Sequence, residues 1–449
     1  MKVVDTILDN ISEKYPNEPY FHQAVSEVYT DIIPYLNVCD SYIQNCDAIE
    51  GLKILERLAE PDRILQFRVS WQNQKGDIEV NRGWRVQYNN AIGPYKGGLR
   101  FHPNVSLDTF KFLGFEQTFK NALTGLQMGG GKGGADFDPK GRSDADIMSF
   151  CHAFMMELYR HIGPHEDVPA GDIGVGEREI GYMFGAYKKI TDRFDGALTG
   201  KNPAFGGSCI RKEATGYGCV YFLEQALNHH DEDLKDKSCV LSGAGNVALY
   251  TAQKLIQKGA KVISMSDSKG TLYMPDGITN EQLDDLIQLK EVNHGRLSDY
   301  DQGEYRDGKE PWDIEADIVI PCATQNEVDK DEAEKITAGG KAKWICEAAN
   351  MPLTADATHH FQKKNVTVLP SKAVNAGGVS VSGLERSQNA QYLSWSPEEV
   401  DSKLQEIMKD IHDLCAESSP DQKNINYSQG ANIAGFKRVA KAMIAYGSL

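Results

Sequence analysis

No stretch of these 449 residues is apolar for long enough to cross a bilayer. No two cysteines stand in a CxxC spacing; the nine (39, 46, 151, 209, 219, 239, 322, 346 and 415) are odd in number and widely scattered. That excludes a zinc ribbon and a disulfide framework, and points to a reduced intracellular chain. A signal peptide is not expected either, because Asp5, Asp9 and Glu13 fall where its apolar core would lie, so the expected location is the cytoplasm. Positive charge is in short supply, 48 Lys and Arg against 64 Asp and Glu, for a net charge of -16. Without a basic field, nucleic acid and membrane surfaces are not expected as partners. Any anionic ligand must be held by a local cationic pocket. Hydrophobic content of 41% and charged content of 25% are ordinary for a globular protein, and the length allows two or three domains.

Glycine is present in clusters, at 129–134, 171–176, 243–245 and 377–378. The first, Met128-Gly129-Gly130-Gly131-Lys132-Gly133-Gly134, surrounds one lysine with five glycines, each of which costs about 0.5–1 kcal/mol of backbone entropy. The flanks are not the polar low-complexity sequence of a linker. A Walker phosphate loop needs glycine where Leu126 stands and Ser or Thr where Gly133 stands. The favoured reading is a backbone pressed against a small ligand with Lys132 aimed at it, over an irregular structural turn.

Residues 1 to about 57 read as helices. From Ile64 the apolar period becomes two, and Ile64–Trp71 and Asp77–Tyr88, joined at Gln74-Lys75-Gly76, predict an antiparallel hairpin. Tyr95–Phe101 predicts a third strand. Leu107–Thr124 predicts a helix whose Phe112, Phe115, Phe119 and Leu123 face a core. Gln117 and Lys120 leave this helix on another side, which by itself reads as a solvated face. A further helix is expected from Ser143, in a capping box with Asp146, to His161, ended by Gly163-Pro164. His161 and His165 flank that break, so they read as loop histidines and not as a metal pair.

Beyond Lys201-Asn202-Pro203 strands and helices alternate. The strand Ser238–Leu241, then Gly243-Ala244-Gly245-Asn246-Val247-Ala248 opening a helix, then the strand Lys261–Met265, make a βαβ unit carrying GxGxxA in its proper setting. Asp267 ends the second strand, where an acid ordinarily takes the ribose hydroxyls of NAD. Ser266, Ser268 and Lys269 beside it, with Lys290 and Arg296 downstream, could instead hold a 2'-phosphate, so these residues leave NAD and NADP both open. Further strands are expected at Ile318–Pro321, Trp344–Glu347 and Val366–Leu369, and helices at Pro397–Glu417 and Ala431–Ala445. In Val168-Pro169-Ala170-Gly171-Asp172-Ile173-Gly174 a carboxylate sits among small residues. Alone Asp172 reads as a turn residue; with a nicotinamide domain downstream and Lys132 upstream, a proton-transfer pair explains it better.

Several motifs, in order along nearly the whole chain, strongly resemble the hexameric glutamate dehydrogenases: Gly93-Pro94-Tyr95-Lys96-Gly97-Gly98-Leu99-Arg100-Phe101, Phe112-Leu113-Gly114-Phe115-Glu116-Gln117, MGGGKGG, VPAGDIG, Pro321-Cys322-Ala323-Thr324-Gln325-Asn326 and Asn375-Ala376-Gly377-Gly378. The resemblance implies an α/β fold. An N-terminal α/β substrate-binding and assembly domain (1–203, completed by 426–449) is followed by a Rossmann-like coenzyme domain (204–425), with the last helix returning to the first domain. The active site is expected in the cleft between them, and the assembly is expected to be a homohexamer.

Carried over by motif, Lys96 would pair with the substrate's side-chain carboxylate, helped by Ser382 and next to Gly97. Gln117 and Lys120 would bind the α-carboxylate, which replaces the solvated-face reading. Lys132 would be the catalytic lysine and Asp172 the proton shuttle, with the backbone of Gly171 on the substrate. Three lysines gathered in one closed cleft are expected to depress one another's pKa. Thr215, Gly243, Gly245, Asn246, Val247 and Asn350 would touch the coenzyme, and Ser266, Asp267, Ser268, Lys269 and Lys290 would surround its adenosine ribose. The Ser-Asp-Ser-Lys-Gly run looks like the NADP-specific branch of the family. The resemblance therefore implies NADPH-linked interconversion of L-glutamate with 2-oxoglutarate and ammonium, without a metal. NAD or dual use remains an alternative. Related dehydrogenases for leucine, valine and phenylalanine have apolar residues at the positions of Lys96 and Ser382. Here both are polar, and a buried lysine lacking a carboxylate partner costs several kcal/mol, which favours glutamate. A non-catalytic coenzyme-binding protein would be expected to lack Lys132 or Asp172, and both are present.

Overall fold

The computed structural model describes residues 2–38 and 46–448; the part of the expected N-terminal helices at 39–45 lies outside the described residues. By its contacts the chain divides into two units. Unit 1 is Met1–Cys209, Val379–Val400 and Asn432–Leu449, and unit 2 is Ile210–Gly378 and Asp401–Ala431. The sequence division placed all of 204–425 in the second domain; residues 379–400 group instead with unit 1. There Ser382 meets Thr199, Glu385 accepts from the Gly200 amide, Arg386 donates to the Gln127 carbonyl and Gln388 donates to Ser208.

Unit 1 opens with the helices Lys2–Lys14, Pro19–Val38, Cys46–Gly51 and Ile54–Leu58. Its sheet is built from β1 (Arg63–Gln72), β2 (Ile78–Asn89), β3 (Tyr95–Phe101), β4 (Gly130–Ala135) and β5 (Asp167–Gly171), in the order β1-β2-β4-β3-β5. The expected hairpin forms, with β1 antiparallel to β2 and β2 to β4, while β4, β3 and β5 run parallel. Its turn is fixed by the Asn73 side chain, whose Oδ1 accepts from the amides of Lys75 at 2.9 Å and Asp77 at 3.0 Å.

One face of the sheet carries the helix Leu107–Leu123, with Phe110 against Trp84 and Phe115 against Tyr88. The other carries Asp144–Leu158 and Glu177–Thr191, whose Ile147, Phe150, Phe154, Ile180 and Met183 share a buried cluster with Val69, Leu99 and Phe101. The expected capping box at Ser143 is only half made. Ser143 Oγ accepts from the Asp146 amide at 3.2 Å, but the Asp146 carboxylate accepts from the Gln74 amide at 2.7 Å, so the hairpin turn takes the group that would have completed the box.

The glycine run is not a loop. Residues 130–135 form β4, buried along its whole length between β2 and β3. Three neighbours account for the missing side chains. A Cβ on Gly133 would stand 2.5 Å from the Trp84 carbonyl oxygen and 3.0 Å from Arg85 Cδ, and one on Gly130 would overlap Thr118 of the helix Leu107–Leu123. Glycine is the residue whose entropic cost is smaller than these clashes. The VPAGDIG stretch is likewise a strand in its first part, since Val168–Gly171 lie in β5 and only Asp172 onward is turn.

The space over β4 is filled by Arg85, which projects from β2. Its Nη1 donates to the Gly97 carbonyl of β3 at 3.1 Å, Nε donates to Asp167 Oδ2 at 2.8 Å and Nη2 donates to Asp167 Oδ1 at 2.5 Å. Both side chains of this ion pair are fully buried, and Gln87 donates a further bond to Asp167. One side chain thus ties β2, β3 and β5 together across β4.

Unit 2 holds β6 (Ser238–Leu241), β7 (Lys261–Asp267), β8 (Gly270–Tyr273), β9 (Glu304–Asp307), β10 (Ile318–Ile320), β11 (Trp344–Cys346) and β12 (Thr367–Leu369), in the order β12-β11-β10-β6-β7-β8-β9. The strands from β12 to β7 are parallel, as a doubly wound sheet requires, and β8 and β9 extend the edge antiparallel. Val240, Ile263, Val319 and Ile345 share a buried cluster with Ala333, Ile336, Ala357 and Phe361 of the helices Lys330–Ala338 and Ala355–Lys363.

Two alanine substitutions separate crowded from tolerant glycines. Gly133→Ala should destabilise by ~1–3 kcal/mol through overpacking. Gly185→Ala, exposed in the helix Glu177–Thr191 with no atom within 4 Å of its Cβ position, should stabilise by ~0.5–1 kcal/mol. Thermal midpoints of the two variants check both signs.

Candidate active site and coenzyme turn

Alternation along β4 sends Lys132 out on the face opposite Gly131 and Gly133. Its Nζ lies 3.1 Å from Oδ2 of Asp172, the first residue past β5, and Arg100 of β3 donates from Nε to the same oxygen at 2.8 Å. Lys132 is nearly buried and Asp172 is largely so. Burial is the largest influence on Lys132 and lowers its pKa; Asp172 opposes this, and Arg100 and Arg85 lower it further. The expected mutual depression among lysines therefore gives way to burial and two arginines. Burial by itself would raise the Asp172 carboxyl, but Lys132 and Arg100 outweigh it and hold the carboxyl below the usual carboxylate range. The cluster is thus a carboxylate shared by a permanent cation and an amine that holds its proton less tightly than a free lysine does.

Lys96, on β3 and 1% exposed, donates to Thr199 Oγ1 at 2.7 Å, and Thr199 Oγ1 in turn is 3.4 Å from Ser382 Oγ. All three are buried within unit 1. Gln117 is half-buried on the helix Leu107–Leu123 and donates to Asn121 Oδ1 at 2.7 Å, while Asn121 donates to the carbonyls of Lys96 at 3.0 Å and Gly129 at 2.5 Å. Lys120, one turn along from Gln117, is half-buried too. Neither is on the solvated face that spacing alone suggested. Gly97 and Gly171 lie on β3 and β5, where Gly97 pairs with Pro169 and Gly171 with Leu99.

Sequence reasoning missed Thr199, Asn121 and the Arg85–Asp167 pair. Arg100 belongs to the Gly93–Phe101 motif, and its closeness to Lys96-Gly97-Gly98 was a usable signal. Thr199, in an ordinary Leu-Thr-Gly turn, offered none.

In unit 2 the turn after β6 has Gly243 at φ 79°, a left-handed conformation, and its amide donates to Ser266 Oγ at 3.0 Å. Gly245 precedes the helix Asn246–Gln257, and no atom lies within 4 Å of where its Cβ would be. An open backbone at a helix N-terminus next to a strand end fits the pyrophosphate of a dinucleotide. Val247 is half-buried in that first helical turn, and Asn246 Nδ2 donates to the Lys212 carbonyl at 2.6 Å. Thr215 is half-buried at the start of the helix Ala214–His229, and Asn350 Oδ1 accepts from Asn375 at 2.8 Å.

The residues around the expected ribose have separate duties. Ser266 is buried and tied to Gly243, and Lys290 Nζ donates to the Gly295 carbonyl at 2.7 Å. Asp267 uses both oxygens on the backbone: Oδ1 accepts from the Lys269 amide at 2.9 Å and Oδ2 from the Leu297 amide at 3.0 Å. Ser268 and Lys269 are exposed in the turn between β7 and β8. Among the described residues no group of three or more His, Cys, Asp or Glu could hold a metal ion, and no helix is long and apolar enough to cross a membrane.

The pattern of the glutamate, leucine, phenylalanine and valine dehydrogenase family matches residues 206–447, and that of the family's dimerisation domain matches 61–189. The chain belongs to this family. It is 51% identical over 447 residues to the NADP-specific glutamate dehydrogenase of Escherichia coli, covering 99% of this chain and 98% of that one. It is 53% identical over 446 residues to the NAD(P)-specific glutamate dehydrogenase of Xylanibacter ruminicola, with 98% of each covered. The solved glutamate dehydrogenase of Plasmodium falciparum superposes with a TM-score of 0.94 at 49% identity, covering 99% of this chain and 94% of that one. In this dehydrogenase chain the Lys132–Asp172–Arg100 cluster and the Lys96–Thr199–Ser382 chain are in unit 1, and the Gly243–Gly245 turn is in unit 2.

The titration of Lys132 can be read directly as the pH dependence of its acylation by an amine-selective reagent. The midpoint should fall below the 10.5 of a free lysine side chain. Arg100→Gln removes a repulsive cation and leaves Asp172 to Lys132 alone; both effects push the midpoint up. A midpoint unmoved in Arg100→Gln would contradict this electrostatic account.

Proposed function

We propose that this chain catalyses the reversible oxidative deamination of L-glutamate to 2-oxoglutarate and ammonia, with NADP as the hydride acceptor. The observation that carries the reading is the presence in unit 1 of two cationic sites of different kinds. One is an amine, Lys132, held against an ionised Asp172; the other is a buried lysine, Lys96, which donates to Thr199 Oγ1 in a hydroxyl chain that ends at Ser382. The first does proton chemistry, and the second receives a carboxylate.

Lys96 and Ser382 bind the substrate's side-chain carboxylate, while Gln117 and Lys120 bind its α-carboxylate. Gly171 lends a backbone group. The coenzyme supplies hydride acceptance from the α-carbon. The resulting iminium is attacked by water, and Lys132, having lost its proton, takes one from that water. Asp172 cannot carry a proton readily while Lys132 and Arg100 both press charge on it. Once Lys132 has passed its proton to Asp172, only Arg100 opposes that protonation; Asp172 then gives the proton to the carbinolamine nitrogen, and as the C–N bond breaks the departing ammonia takes up the hydroxyl proton and leaves as ammonium. The same groups run ammonium assimilation in reverse.

On the coenzyme side, Thr215, Gly243, Gly245, Asn246, Val247 and Asn350 hold the dinucleotide, and Ser268 and Lys269 take the 2'-phosphate. Asp267, with both oxygens on backbone amides, shapes this turn. Assembly as a homohexamer in the cytoplasm accords with the dimerisation-domain match and with the apolar surface left exposed by Ile64 of the edge strand β1 and by Ile78 and Val80 of β2 beside it.

Initial rates with 2-oxoglutarate and ammonium should be fast with NADPH and slow with NADH; preference for NADH would keep the reaction and overturn the coenzyme reading. Lys132→Ala should lower kcat by ~100-fold to 10,000-fold while NADPH binding stays near normal. Lys269→Ala should weaken NADPH binding by about 10-fold and leave NADH within about 2-fold, as expected for one lost charge-assisted bond.

A further inference from the structure

A second fully buried ion pair lies beside the Lys96 site and takes no part in the chemistry above. Lys201 and Glu385 are 1% and 0% exposed, with Nζ 2.8 Å from Oε1. The three protons of Lys201 are all used, on Glu385, on Asn389 Oδ1 at 2.8 Å and on the Leu198 carbonyl at 2.5 Å. Glu385 in turn accepts from the Gly200 amide at 2.8 Å and the Lys201 amide at 3.4 Å. The pair therefore clamps the turn Leu198–Lys201 from both ends, and Thr199 is inside that turn. The Thr199 amide donates to the Pro169 carbonyl at 3.0 Å, and Pro169 pairs with Gly97, the residue after Lys96. Ser382 stands one turn before Glu385 on the helix Gly377–Gln391.

The clamp thus fixes two things together: where Thr199 Oγ1 meets Lys96, and the register of the helix that brings Ser382 to Thr199. A buried ion pair is a poor source of stability, because desolvating two charges offsets most of their attraction. Orientation of the hydroxyl chain is a role that an apolar pair of similar volume could not supply. We infer that the Lys201–Glu385 pair is a positioning element that aligns Thr199 and Ser382 on Lys96, and so makes the site select a substrate with a second carboxylate. This rests on the glutamate reading and adds to it the two residues that set its selectivity.

The test compares 2-oxoglutarate with 2-oxohexanoate, which lacks the second carboxylate, using whole enzyme, ammonium and NADPH. Three variants are used: Glu385→Gln; Glu385→Asp, which keeps the charge but withdraws the oxygens from the turn; and the double variant Lys201→Met with Glu385→Leu, which removes both charges. In all three, KM for 2-oxoglutarate should rise by about 10-fold or more, as for loss of a charge-assisted contact, with kcat, the KM for NADPH and the KM for 2-oxohexanoate within about 2-fold. The double variant should keep a thermal midpoint near that of the unaltered enzyme. A double variant that is stable and still prefers 2-oxoglutarate as strongly as the unaltered enzyme overturns the inference, leaving the pair as packing alone. Should Glu385→Gln not fold, Glu385→Asp and the double variant decide. An unaltered enzyme that shows no preference for 2-oxoglutarate would instead overturn the glutamate reading on which the inference stands.

Discussion

The guanidinium of Arg85, laid across β4 to reach Asp167, is the interaction on which the rest of unit 1 depends. Because that side chain lies over Gly131 and Gly133 on one face of β4, the strand cannot carry side chains at those two positions. Because those residues are glycines, β2, β4, β3 and β5 are locked to one another by one charged group whose loss from either end would strand its partner in the core. Lys132, between two of those glycines, inherits its position from the lock, and Arg85 also contributes to lowering its pKa. A buried arginine thus orders the sheet and helps tune the amine.

Much of this arrangement was legible in the amino-acid sequence. The hairpin, β3, the helix Leu107–Leu123 and the βαβ unit all carried a clear period of two or 3.6, and they formed where the pattern placed them. The exceptions have physical causes. β4 has no hydrophobic period because its packing partner is a side chain from another strand, so a run of glycine gave no sign of a strand. β8 and β9 are four residues each, too short for alternation to register. Asp146 was spent on the hairpin turn instead of its own helix, a long-range choice that local spacing cannot show. Within the site, motif resemblance suggested the lysines and Asp172, whereas Thr199, Asn121 and Glu385 act through distances that only the folded chain creates.

The two units manage charge differently. Unit 1 buries ions in pairs and uses each pair to hold backbone: Arg85 with Asp167 holds strands, and Lys201 with Glu385 holds a turn. At the dinucleotide turn of unit 2, Asp267 is satisfied by main-chain amides and Ser266 by the amide of Gly243, so the acid that usually reads a ribose serves the loop. Ser268 and Lys269 are left exposed beside it, and the bonds that Asp267 makes to hold the turn's shape use neither of their side chains.

The strand order β1-β2-β4-β3-β5 also bears on how the chain reaches this state. β4 follows β3 in sequence but lies between β2 and β3, so the sheet cannot be zipped up in the order of synthesis; the gap must stay open until the helix Leu107–Leu123 has led the chain back. With glycine for most of its length, β4 has little apolar surface to draw it in, and its entry must await neighbours already in place. Such non-local insertion is slow compared with hairpin closure. Lys132 therefore reaches its place beside Asp172 only when β4 is seated between β2 and β3, so the cluster it forms with Asp172 and Arg100 is completed by the same non-local step that completes the sheet.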